Sequence, residues 1–112
     1  MITTTAFREL ALSFPETAEG SHQDTADFRV ADKIFATLRE GDSRAVVKLT
    51  AADQGLYMET AAAMVRPVKG SWGKKGWTLV LLDRADPETT RHLLATAWRT
   101  VAPKRIVRRH SL

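Results

Sequence analysis

At 112 residues, with 44% hydrophobic and 27% charged side chains, the chain has the size and composition of one globular domain with a buried core. That balance excludes a disordered segment, and the absence of cysteine excludes disulfides, thiolate zinc sites and a cysteine nucleophile. The formal net charge of +4 gives a modest bias towards anionic partners.

The chain opens on an amphipathic helix from about Thr4 to Ser13, since Phe7, Leu10, Ala11 and Phe14 recur at helical spacing and Pro15 ends the run. No basic region followed by an apolar one precedes it, so no secretory signal is expected. No apolar run approaches the roughly 18–20 residues of a membrane helix, and a cytoplasmic protein without membrane contact is expected. The stretch "ETAEGSHQDT" reads as a polar connection without periodicity. "DFRVA" and "KIFATLRE" then read as a hairpin turning at Asp32-Lys33, and "AVVKLT" (45–50) as a third strand after the turn "EGDSR".

Thr50 and Asp53 mark the start of a short helix that contains Gly55. "MVRPVK" is a strand placed at a sheet edge, because Pro67 has no amide hydrogen to donate to a ladder. "WTLVLL" follows with Trp77, Leu79 and Leu81 on one face. Asp86-Pro87-Glu88 starts a last helix whose stripe is Leu93, Leu94, Ala97, Trp98 and Val101, closed by Pro103. The order α-β-β-β-α-β-β-α gives an α+β fold with a mainly antiparallel sheet packed by helices, followed by a basic tail from about residue 104.

Catalytic chemistry is not legible. His22, His92 and His110 stand outside any chelating pattern. Ser21, His22 and Asp24 hint at a triad, but neighbours in a polar loop are poor evidence for one, and a solvated loop histidine is preferred. Glu16, Glu19 and Asp24 read as solvated charges. Gly70, Gly73 and Gly76 match neither a dinucleotide fingerprint nor a P-loop. No enzyme, metal or cofactor is expected.

The charge distribution is more informative. Residues 1–27 hold Arg8 against Glu9, Glu16, Glu19, Asp24 and Asp27, whereas 64–82 hold Arg66, Lys69, Lys74 and Lys75 with no acid. Residues 104–110 add Lys104, Arg105, Arg108 and Arg109. The loop "GSWGKKGW" (70–77) is either a soluble hairpin turn leading into a core-facing Trp77, or a wing. In the wing, Lys74 and Lys75 meet phosphates while Trp72 stacks on a base; in the turn, Trp72 folds back over the sheet. Arg29, Lys33 and Arg39 offer a weaker second wing on the first hairpin.

Five segments in order, "SFPETAEG", "DFRVADKIFATL", "VVKLT", "SWGKKGWTLVLL" and "AWRTVAPKR", resemble the MmcQ/YjbR family over roughly Phe7 to Arg105. The resemblance implies a compact α+β fold similar in topology to type III secretion chaperones, and a double-wing DNA-binding protein with wings around Lys33 and Lys74-Lys75. It carries over no catalytic residues. The tail "KRIVRRH" departs from the family pattern and reads as a phosphate-binding arm or a frayed end. The leading expectation is low-specificity DNA binding through Lys33, Arg66, Lys69, Lys74, Lys75 and the tail cations, with Trp72 stacking. The alternative is a protein- or peptide-interaction module, chaperone-like or homodimerising, with no nucleic-acid role.

Overall fold

The computed structural model describes residues 1–110. Six strands, β1 (Thr17–His22), β2 (Thr25–Val30), β3 (Lys33–Arg39), β4 (Arg44–Lys48), β5 (Val65–Pro67) and β6 (Trp77–Leu81), form one antiparallel sheet in the order β1-β2-β3-β4-β6-β5. The helices are α1 (Thr4–Leu12), α2 (Ala51–Thr60), α3 (Ser71–Lys74), α4 (Pro87–Val101) and α5 (Lys104–His110).

The three anticipated helix starts are each capped by a side-chain oxygen. Thr3 accepts from the Ala6 amide at 3.0 Å, Thr50 from Asp53 at 3.1 Å, and Asp86 from Thr89 at 2.8 Å. The Thr89 amide holds the Asp86 carboxyl below its ordinary range.

Period-two alternation then sorts the sheet into two faces. Phe28, Ala36, Leu38, Val47 and Val80 point to one side, where they are buried with Phe7 and Ala11 of α1 and Leu93, Leu94, Ala97 and Trp98 of α4. Each such Phe or Leu contributes about 1.5–3 kcal/mol through burial. Phe35 is an extra residue in β3, where Phe28 pairs with Ala36 and Arg29 with Ile34. This bulge lets Phe35 and Ala36 both be buried. Trp98 is fully buried, and its indole N–H donates to the Pro15 carbonyl at 2.9 Å.

The secondary structure departs from the sequence reading in four places. The supposed polar connection contains β1, and Gln23 and Asp24, with φ of 47° and 63°, make the tight turn into β2. The β2–β3 turn is Ala31-Asp32, also both left-handed, so Lys33 begins β3 and is not a turn residue. The stretch after β5 is the helical turn α3, not an extended hairpin tip. The basic tail is the helix α5, anchored by buried Ile106 and by contacts of Arg109 and His110 with Glu16. It is not a frayed end.

Candidate nucleic-acid interface

Among the described residues, no helix covers the second face of the sheet. The cross-strand register brings Val46 of β4, Leu79 of β6 and Arg66 of β5 side by side on it. Arg39 and Arg44 are partners across the β3–β4 ladder. Together with Pro67, Val68 and Lys69 they line an open groove of about 590 Å³ with an apolar floor and a cationic rim.

The rim cations differ in their partners. Arg39 pairs with Asp42 at 3.6 Å. Arg66 donates to the carbonyls of Ala62 and Val65, the latter at 2.7 Å, which holds the guanidinium against the β5 edge without neutralising it. Among the described residues no carboxylate pairs with Arg44, Arg66, Lys69, Lys74 or Lys75. Unneutralised cations around an uncovered surface attract anions.

A second hollow of about 270 Å³ adjoins the groove and shares Val46 and Val68 with it. Its other walls are Ile34, Thr37, Trp72, Trp77 and His22. Trp77 points to this uncovered face and not to the core, which corrects the sequence reading. Trp72 is 58% exposed and meets Trp77 edge to face, with ring centroids 6.1 Å apart. Lys75 Nζ stands 5.5 Å from the Trp72 ring and Lys48 Nζ 5.5 Å from the Trp77 ring. Trp72 therefore leans back towards the sheet while keeping more than half its surface open.

Two glycines fix this arrangement. A Cβ on Gly73 would lie 1.9 Å from the Val68 carbonyl oxygen, and one on Gly76 would lie 1.8 Å from that of Leu49. Gln54 of α2 donates to the carbonyls of Gly73 and Trp77 at 3.1 and 3.2 Å and to the Thr78 hydroxyl at 3.0 Å, tying α3 to β6.

His22 ends β1, and its partner is Asp27, not Asp24. Nδ1 lies 2.8 Å from Asp27 Oδ2, while Arg29 donates to Oδ1 at 2.8 Å. Asp27 is fully buried, yet the Arg29 guanidinium, reinforced by His22, outweighs burial and keeps its carboxyl below the ordinary range. Ser21 projects to the opposite face of β1 from His22, so the Ser21–His22–Asp24 triad is not assembled. Among the described residues no three or more His, Cys, Asp or Glu are placed to hold a metal.

The residues anticipated from sequence are only partly brought together. Arg66 and Lys69 line the groove; Trp72 lines the adjoining hollow, with Lys74 and Lys75 beside it on α3 and its C-cap. Lys33 lies at the same end of the sheet as α3 but on β3, separated from β6 by β4. Lys104, Arg105, Arg108 and Arg109 lie on α5, on the helix-covered side next to the entry to β1, about four strand spacings or ~19 Å from β6. Arg44 was missed, because only strand pairing brings it beside Arg39 and near Arg66.

The fold defines an α+β protein whose antiparallel sheet is packed by helices on one face and open on the other. The YjbR family model matches residues 12–100, and the chain belongs to that family, MmcQ/YjbR. Its fold is similar to the crystal structure of Deinococcus radiodurans protein DR2400, described by the domain family DUF419. The TM-score is 0.78 at 19% identity, covering 100% of this chain and 90% of that one. No curated protein matches significantly. Among the described residues no helix is long and apolar enough to cross a membrane.

Proposed function

We propose that the protein binds DNA with low sequence specificity, seating the phosphate backbone on the cationic rim of the uncovered sheet face. The observation that carries this reading is the set Arg44, Arg66 and Lys69, which have no carboxylate partner among the described residues around one groove. Lys74 and Lys75 extend the positive surface past the end of β5, and Lys33 is a peripheral contributor. Phosphate contacts of this kind position a nucleic acid without reading it, and the uncovered sheet face presents no helix to a major groove, so base discrimination is weak. The protein acts as a binding module in the cytoplasm and not as an enzyme: the His22–Asp27 pair has no serine nucleophile beside it, since Ser21 faces away.

The test is fluorescence anisotropy of a labelled duplex titrated across a salt series. Each neutralised phosphate contributes about −0.9 to the slope of log affinity against log salt. The variant Arg44→Ala/Arg66→Ala/Lys69→Ala is expected to flatten that slope by two to three. Absence of salt-dependent binding to any DNA would overturn the reading. The apolar floor of Val46, Val68 and Leu79 favours the second reading, a surface for a peptide or a second copy of the chain. Sedimentation showing a concentration-dependent dimer that the variant Val46→Asp abolishes would support it.

A further inference from the structure

The hollow beside the groove has a composition that phosphate binding does not explain. Its walls combine two tryptophans, the aliphatic chains of Ile34, Val46 and Val68, and one imidazole. An exposed tryptophan backed by a second ring is a surface on which a planar base stacks, and stacking of this kind is common to all bases.

His22 supplies a fixed polar edge. Its Nδ1 faces an ionised carboxylate that Arg29 already stabilises, so Nδ1 carries the hydrogen and Nε2 is the nitrogen left for a ligand. Gly20, across the ladder from Asp27, leaves the room that this carboxylate occupies: a Cβ there would lie 2.9 Å from Oδ1. The imidazole is thus held from below by a buried group while remaining about half exposed above.

We propose that this hollow is a subsite for one unpaired nucleobase, stacked on Trp72 and hydrogen-bonded at its edge by His22, and that the preferred ligand is single-stranded DNA. The inference rests on the proposed DNA-binding role of the adjoining groove, which would take the phosphates flanking that base. The shared walls Val46 and Val68 make the two sites continuous, as a base and its own backbone require. The aliphatic wall suits the methyl group of thymine. Bases in a duplex are paired and stacked on their neighbours, and reach such a hollow only after unstacking, so the duplex binds through the rim alone.

The test uses the full chain with labelled oligothymidylate, a duplex of equal length and oligouridylate, at matched salt. Oligothymidylate is expected to bind about tenfold more tightly than the duplex. Trp72→Ala should weaken single-strand binding about tenfold and leave the duplex nearly unchanged, since stacking on one ring is lost but no phosphate contact is. His22→Gln should weaken the single strand several-fold, with a nearly unchanged duplex affinity reporting that the sheet is intact. Equal affinity for strand and duplex, or equal loss from both in Trp72→Ala, would overturn the base subsite while leaving the phosphate groove standing. Tighter binding of oligouridylate would overturn the assignment to DNA. Failure of all three nucleic acids to bind would remove both proposals.

Discussion

Gly20 and Asp27 face each other across the β1–β2 ladder, and the missing side chain of the one is the space filled by the carboxylate of the other. That carboxylate is not free to swing away, because Arg29 and His22 hold both of its oxygens. Gly20→Ala is therefore expected to cost about 1–3 kcal/mol, the usual range for overpacking a buried site. Urea denaturation checks it; a loss below ~0.5 kcal/mol would mean that the carboxylate shifts without penalty.

The same carboxylate sets a pH dependence. Its folded pKa lies below the ordinary value of about 3.9, so the folded state favours the ionised form. The resulting stability is fully present at neutral pH and is lost as pH falls from about 4 through the lowered value. Asp27→Asn should lower stability at pH 7 by about 1–3 kcal/mol, through loss of the hydrogen bonds its charge makes with Arg29 and His22, and should flatten the acid limb of a stability–pH curve. An unchanged acid limb would show that other groups govern it.

Three neighbouring glycines should respond differently to alanine. Gly70, with φ of 77°, has open space where a Cβ would go, so Gly70→Ala costs only backbone strain of about 1–3 kcal/mol. At Gly73 and Gly76 the added atom would collide with main-chain oxygens that have no rotamer to move. Either substitution is expected to displace α3 from β6, with losses above ~3 kcal/mol by denaturation. The expected order is Gly70→Ala mildest, and its reversal would contradict the packing of α3.

Trp98 and Trp72 offer the opposite contrast. Trp98→Ala removes a fully buried ring and its bond to Pro15, costing about 3–5 kcal/mol. Trp72→Ala removes a ring that is largely exposed, and a loss under ~1 kcal/mol is expected in the same thermal or urea measurement.

The two basic clusters can be separated by salt dependence. Lys104→Ala/Arg105→Ala/Arg108→Ala should change the slope of DNA binding by less than one, whereas the groove triple variant should change it by two to three. A larger effect from the α5 variant would place the nucleic acid on the helix-covered side.

The elements with a clear local signal were legible in the sequence. Helices α1 and α4 carry apolar stripes and capping residues, and Pro67 marked its strand as an edge. Strand β1 was not legible, because its six residues, Thr-Ala-Glu-Gly-Ser-His, include none that is buried; pairing with β2 makes it a strand. α3 was hidden for a related reason. A Ser-Trp-Gly-Lys stretch has weak helical propensity, and contacts with Val68, Leu49 and Gln54 decide its shape. Of the site, Arg66, Lys69, Lys74 and Lys75 stood out as a run of cations without acids. Arg44, and the pairing of His22 with Asp27, depend on neighbours that only the folded sheet supplies.

α3 also bears on the thermodynamics of recognition. A mobile basic loop loses conformational freedom when it settles on a ligand, and that loss is subtracted from its affinity. Here the chain from Gly70 to Trp77 is already ordered by the fold, with Gln54 bridging it to β6 and a lysine seated against each of its tryptophans. The ordering cost falls on folding, before any ligand arrives. Association should then resemble the docking of a preformed surface, with backbone amides from 70 to 77 equally protected from hydrogen exchange with and without the ligand.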